Sequence, residues 1–224
     1  MNSEEKWLDQ LIMTANSIVN VISYSIKNYD RTCIKKLLEI MCEAYEQRRK
    51  IVVSGEGNSA SVSAFLVRRG IHLNLLIWFL QDAGCPALEL DDIAIFISGT
   101  GTTSGVVNQA RMAHKIGAKV ILITSKWRDK KVENITEAIQ DYADLVIEVG
   151  GKTKEQSTQK ISDFGSRKLA GTFPPSKKRN EGTLILGSQF EINALTFVLS
   201  LSHTLMELLG QNDDDARRRH RNIE

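Results

Sequence analysis

The sequence predicts a three-layer α/β/α domain built on a five-stranded parallel β-sheet. Short, nearly uninterrupted runs of Val, Ile and Leu recur through the middle of the chain, as expected of strands buried on both faces. Helical stretches separate these runs, and such an alternation favours right-handed crossovers and a parallel sheet. The five predicted strands are residues 51–53, 75–79, 93–97, 120–123 and 145–147.

Helices are predicted before and between the strands. Apolar residues recur every three or four positions over residues 7–26, which is the period of an amphipathic helix. A second helix should begin after Asp30 and end in a basic cluster at residues 48–50. Gly70 and Gly117 stand where helix C-caps are expected. The predicted crossover helices are residues 59–70, 103–117 and about 132–142.

A single domain is predicted for residues 1–224. A chain of 224 residues that is 42% hydrophobic can bury one substantial core. Its predicted parts are two N-terminal helices (1–48), an α/β core (49–150), a long polar connection (151–187), a C-terminal helix (188–210) and a tail (211–224). A connection of this length should be functional, partly helical or packed on a neighbouring subunit.

Composition excludes several classes of partner. The net charge of +2, from 29 basic and 27 acidic residues, does not predict a nucleic-acid surface. Three cysteines without CxxC spacing favour a reducing cytoplasm. No leader and no apolar run of about 18 residues is apparent, so we expect neither export nor a membrane span. The scattered histidines predict no metal site.

Two turns rich in glycine and hydroxyl residues, at residues 54–59 and 98–104, follow the first and third predicted strands. Such turns meet at the carboxyl edge of a parallel sheet, where ligands bind. Hydroxyls and free N–H groups at a helix N-terminus suit a phosphate group, although ordinary helix capping also accounts for Ser and Thr there. Neither turn carries a Walker or dinucleotide-binding pattern. The pair predicts an anion site.

These turns, together with the run at residues 121–125, resemble the sugar isomerase (SIS) domain. Within that superfamily the chain most resembles the 6-phospho-3-hexuloisomerases, which interconvert arabino-3-hexulose 6-phosphate and fructose 6-phosphate. Further segments carry the resemblance, at residues 85–88, 151–154, 166–171, 187–191 and 219–224. The resemblance implies a flavodoxin-like fold and a homotetramer with shared active sites.

The resemblance also implies site residues. Glu191 would be the base of a cis-enediol mechanism, assisted by His220 from a neighbouring subunit. One carboxylate can remove a proton and return it, and a histidine can supply a proton near neutral pH, so no metal or other cofactor is required. The expected phosphate and substrate contacts are Gly57, Asn58, Ser59, Ser98, Gly99, Thr100 and Thr103.

The two residues assigned to catalysis also fit purely structural roles. Ser188 and Glu191 form a capping-box pattern, and His220 lies in a charged tail where a solvated residue is common. Asn58 stands where the hexuloisomerases tend to carry arginine. Thr100 and Thr102 replace their usual Ser and Glu, so the identity of the sugar stays open.

Two alternative functions follow from the same domain. One is a non-catalytic sugar-phosphate sensor, although residues 1–48 lack the basic recognition helix that such regulators usually add. The other is a phosphosugar isomerase or lyase that acts on a different substrate.

Overall fold

The structure, a computed structural model, describes residues 3–125, 137–151 and 188–220. Within these residues, five parallel strands form one sheet in the order β2-β1-β3-β4-β5. They are β1 (Ile51–Ser54), β2 (Ile77–Phe79), β3 (Ile93–Ile97), β4 (Lys119–Thr124) and β5 (Leu145–Glu148). The predicted fold class is therefore confirmed. The strand order reverses between β1 and β3, and their carboxyl ends diverge there into a crevice.

Six helices surround this sheet in the described part of the chain. They are α1 (Ser3–Lys27), α2 (Arg31–Glu46), α3 (Asn58–His72), α4 (Ser104–Ile116), α5 (Ser188–Leu208) and α6 (Asp213–Arg218). Asp30 caps α2 as predicted, because its carboxylate accepts from the N–H groups of Thr32 and Cys33. Gly117 ends α4 in the left-handed conformation, with φ of 87°.

Two helix predictions differ from the structure. Gly70 lies inside α3 instead of capping it. Glycine suits this position because a Cβ atom there would stand 2.8 Å from the side chain of Ile77 on β2. Near residue 140 the described chain forms only a 3₁₀ turn, Ile139–Asp141. Ala138 is extended there, and the N–H of Ile139 donates to the carbonyl of Gly101, which anchors this segment to a loop. Residues 132–136 lie outside the described residues.

Alternate residues of each central strand face opposite layers. Ile93, Ile95 and Ile97 of β3 pack with α2, α3 and α5, whereas Ala94 and Phe96 pack with α4 and the 3₁₀ turn. This alternation produces the three layers. The helix α1 packs against α5 and keeps a row of apolar side chains exposed. None of the described helices is long and apolar enough to cross a membrane.

Candidate functional site

A cavity of about 230 Å³ lies at the carboxyl ends of β1 and β3. Both predicted turns and the first turn of α5 line it, so eight of the nine predicted site residues come together here. His220 is the exception. The lining residues are Glu56, Gly57, Asn58, Ser59, Ile97, Ser98, Gly99, Thr100, Thr103, Phe190 and Glu191.

The loop of residues 98–103 is folded around its own hydroxyl groups. Ser98, which is buried, accepts from the N–H of Gly101 at 3.1 Å, and Thr100 accepts from Thr102 at 3.2 Å. Thr103 is the N-cap of α4, yet its side chain makes no capping hydrogen bond. The first N–H groups of α4 are thus not satisfied by a side-chain cap, which suits an incoming anion.

This loop is supported from behind by β4 and the 3₁₀ turn. The hydroxyl of Thr124 donates to the carbonyl of Gly99 at 3.2 Å, and Ile139 donates to Gly101 at 2.9 Å. Gly101 has φ of 69°, and a Cβ atom there would stand 2.5 Å from the amide of Gln140. The positive φ favours glycine at this position, whereas the end of the flexible Gln140 side chain could turn aside.

The first turn lies directly against β3. A Cβ atom at Gly55 would stand 2.9 Å from the carbonyl oxygen of Ile97, so the two chain segments are in close contact. Below the turn, the hydroxyl of Ser54 donates to Gln109 at 2.6 Å and accepts from Gln81 at 3.1 Å. This partly buried network fixes the end of β1 relative to α4.

Glu191 reaches the cavity from the first turn of α5. Its neighbour Phe190 is buried in the core, which sets the rotation of the helix. The turn after β5 packs on this helix end, since a Cβ atom at Gly151 would stand 2.6 Å from the N atom of Phe190. The hydroxyl of Ser125 donates to the carbonyl of Gly151 and holds that turn. The side chain of Ser188 lies outside the described residues, so the capping-box prediction stays open.

Residues 44–141 match the family model of the SIS domain. The matched part holds β1 to β4 and both turns that line the cavity. It is 25% identical over 212 residues to the 3-hexulose-6-phosphate isomerase of Methylomonas aminofaciens, covering 95% of this chain and 97% of that protein. It is also 25% identical over 129 residues to the HTH-type transcriptional regulator HexR of Escherichia coli, covering 55% of this chain and 42% of the regulator.

A solved structure from Methanococcus jannaschii has the same fold. The two chains are 22% identical and superimpose with a TM-score of 0.66, covering 96% of this chain and 99% of the other. Its description infers a molecular function of 3-hexulose-6-phosphate isomerase for that protein.

His220 lies far from the cavity of its own chain. Its ring stands 5.1 Å from that of His72, centroid to centroid, at the C-terminal end of α3. The N-terminal end of the same helix lines the cavity through Asn58 and Ser59. Because α3 has 15 residues, its two ends are about 22 Å apart. His220 therefore cannot reach the cavity of the chain that carries it.

Three lining residues were not among the predictions, namely Glu56, Ile97 and Phe190. Each is adjacent in sequence to a predicted residue, so a search extended by one position would have found them. Glu56 matters most, because it makes two carboxylates in a cavity whose described lining includes no Lys, Arg or His. No metal-binding group of three or more His, Cys, Asp or Glu side chains occurs within the described residues.

Proposed function

We propose that the chain is a phosphosugar isomerase that interconverts 3-hexulose 6-phosphate and fructose 6-phosphate. The observation that carries this proposal is the shared cavity of Glu191 and the 98–103 loop. The loop offers hydroxyls and helix N–H groups for a phosphate, and Glu191 lines the same cavity from α5. Similarity to a named 3-hexulose-6-phosphate isomerase over 95% of the chain supports the choice of substrate.

The proposed chemistry is a proton transfer between neighbouring carbons. The carboxylate of Glu191 removes the proton from C2 of the 3-hexulose, and the C–H electron pair forms the C2=C3 bond of a cis-enediol while O3 takes a proton. Return of the proton to C3, with loss of a proton from O2, gives fructose 6-phosphate. One group thus acts as base and then as acid. The reaction is balanced without an oxidant.

We propose that His220 enters this site from a neighbouring subunit of a cytoplasmic homotetramer. The separation of about 22 Å along α3 supports a contribution between chains. An exposed apolar row on α1 supports association, because soluble monomers seldom expose such rows. It includes Trp7 (72% exposed), Leu8, Leu11 and Ile12. A histidine at the enediol oxygens would exchange protons near neutral pH.

Hydrogen exchange tests the proposed reaction. Fructose 6-phosphate incubated with the protein in D₂O should exchange a carbon-bound hydrogen, followed by proton NMR. Glu191→Gln should abolish this exchange, because the amide cannot take the proton. Glu207→Gln is the matched control, since Glu207 lies on the same helix but is exposed and paired with His203. Exchange that persists in Glu191→Gln would contradict the assignment of the base.

A second candidate is a non-catalytic sugar-phosphate sensor. The similarity to the regulator HexR favours it, as does the absence of a basic side chain from the described cavity lining. Measurable binding of fructose 6-phosphate without exchange of any hexose or pentose phosphate would support the sensor. Exchange with another phosphosugar instead would support an isomerase or lyase of different specificity.

A further inference from the structure

The second carboxylate of the cavity, Glu56, rests on the first turn of α4. Its Oε1 atom occupies the space that a Cβ atom of Gly105 would need. Glu56 is exposed, and within the described part of the chain no side chain forms a hydrogen bond or ion pair with it. The carboxylate therefore lies against the first turn of α4 without a described side-chain partner.

That helix end is also the proposed position of the phosphate. The side chain of Thr103 does not cap α4, so its first N–H groups and the positive end of its dipole favour a negative charge. A carboxylate and a phosphate both satisfy this preference. They cannot occupy the same place, and with no described cation in the lining their charges repel.

We propose that Glu56 is a built-in competitor of the substrate's phosphate. Its carboxylate lies at the N-terminus of α4, and it turns outward when a phosphorylated sugar binds. The proposal rests on the phosphate site of the proposed function. It makes Glu56 a residue that sets affinity for phosphorylated ligands, without a part in proton transfer at Glu191.

Gly105 provides a second way to remove the competitor. A methyl group at this position would first meet the Glu56 carboxylate, since its three nearest neighbours outside the helix backbone are Oε1, Cδ and Oε2 of that side chain. Gly105→Ala should expel the carboxylate and leave its charge unchanged. Alanine also suits a helix better than glycine, so the variant should fold.

Calorimetric titration with fructose 6-phosphate and with inorganic phosphate tests the proposal. Glu56→Gln and Gly105→Ala should each tighten binding of both probes by about two- to fivefold, the scale of one exposed charge at a helix end. The double variant should bind no more tightly than Glu56→Gln alone, because both changes remove the same competitor. Glu39→Gln, an exposed change on α2 far from the cavity, should have no effect.

The outcomes separate this proposal from the one it rests on. Unchanged or weaker binding by Glu56→Gln, while the unmodified protein still binds phosphate, would overturn the competitor and leave the phosphate site intact. If the gains in affinity add in the double variant, the two changes do not act on the same contact between Glu56 and Gly105, and this part of the proposal is wrong. Failure of every variant to bind either probe would overturn the competitor and the phosphate site together.

Discussion

At the scale of single residues, the space around glycines decides the shape of the site. Gly151 has φ of 96°, and a methyl group there would press on backbone atoms of Gln189 and Phe190. A backbone neighbour cannot turn aside as a flexible side chain can. Glu191 is the next residue along this helix, so a shift of the contact moves the proposed base.

Gly151→Ala should therefore lower the exchange rate with little loss of phosphate affinity. Displacement of the Glu191 carboxylate by about 1 Å should lower the rate on the order of a hundredfold. The 98–103 loop follows β3, whereas Gly151 follows β5, so we expect the phosphate contacts to change little. Steady-state kinetics should show a fall in kcat larger than any change in KM. Gly84→Ala is the control, because a Cβ atom at Gly84 meets nothing within 4 Å. Equal losses in both variants would contradict the argument.

Glu56 shows why sequence reasoning could not place one of the three lining residues that it missed. Its turn was predicted, but its place at the end of α4 depends on the missing side chain of Gly105, 49 positions later in the numbering. Local patterns carry no information about such a contact. Ser59 and Ser98 could be predicted as site residues because each lies in the segment from the end of a strand to the first turn of a helix, at the edge of the sheet where ligands bind.

At the scale of elements, the docking of α6 on α3 couples the C-terminal region to pH. Arg219 donates to the carbonyl of His72 at 2.9 Å and to Gln211 at 2.6 Å. Burial, and then the positive charge of Arg69, lowers the pKa of His72 below its ordinary value of 6.5. The imidazole of His72 therefore binds a proton more readily in the unfolded chain than in the folded chain.

The stability contributed by neutral His72 should be complete above pH 6.5 and be lost as the pH falls through this value toward the lower folded pKa. His72→Gln should flatten that part of the pH dependence, because glutamine does not titrate and the backbone carbonyl that Arg219 contacts remains. Urea unfolding at several pH values between 5 and 8 measures this pH dependence of the free energy of unfolding. His203→Gln, an exposed histidine on α5, should leave the slope as in the unmodified protein.

Elements were predicted well where local signals agreed with packing. Gly117 and Gly70 carry the same sequence signal, yet the first caps α4 and the second lies inside α3 against Ile77. The difference arises from a neighbouring strand, which no local pattern contains. The 3₁₀ turn near residue 140 differs from the predicted helix for the same reason, since Ile139 bonds to the distant Gly101.

At the scale of the whole molecule, one chain does not bring both proposed catalytic residues to the same cavity. Its Glu191 lines the cavity, whereas its His220 lies at the other end of α3. A symmetric pair of chains can exchange such residues, because a two-fold interface places the same groups in both sites. Neither the helical pattern nor the charged tail of the sequence specifies this distance. It follows from where α6 docks.

Shared sites predict that two inactive variants complement each other. Glu191→Gln and His220→Ala should each be inactive alone, but in a mixed pair one of the two sites keeps both native residues. Random assembly at equal expression should therefore restore about a quarter of the native exchange rate, since half the pairs are mixed and half their sites are intact. Co-expression with two different tags and the NMR exchange assay measures this. Activity no higher than the sum of the separate variants would place the whole site within one chain or exclude His220 from it.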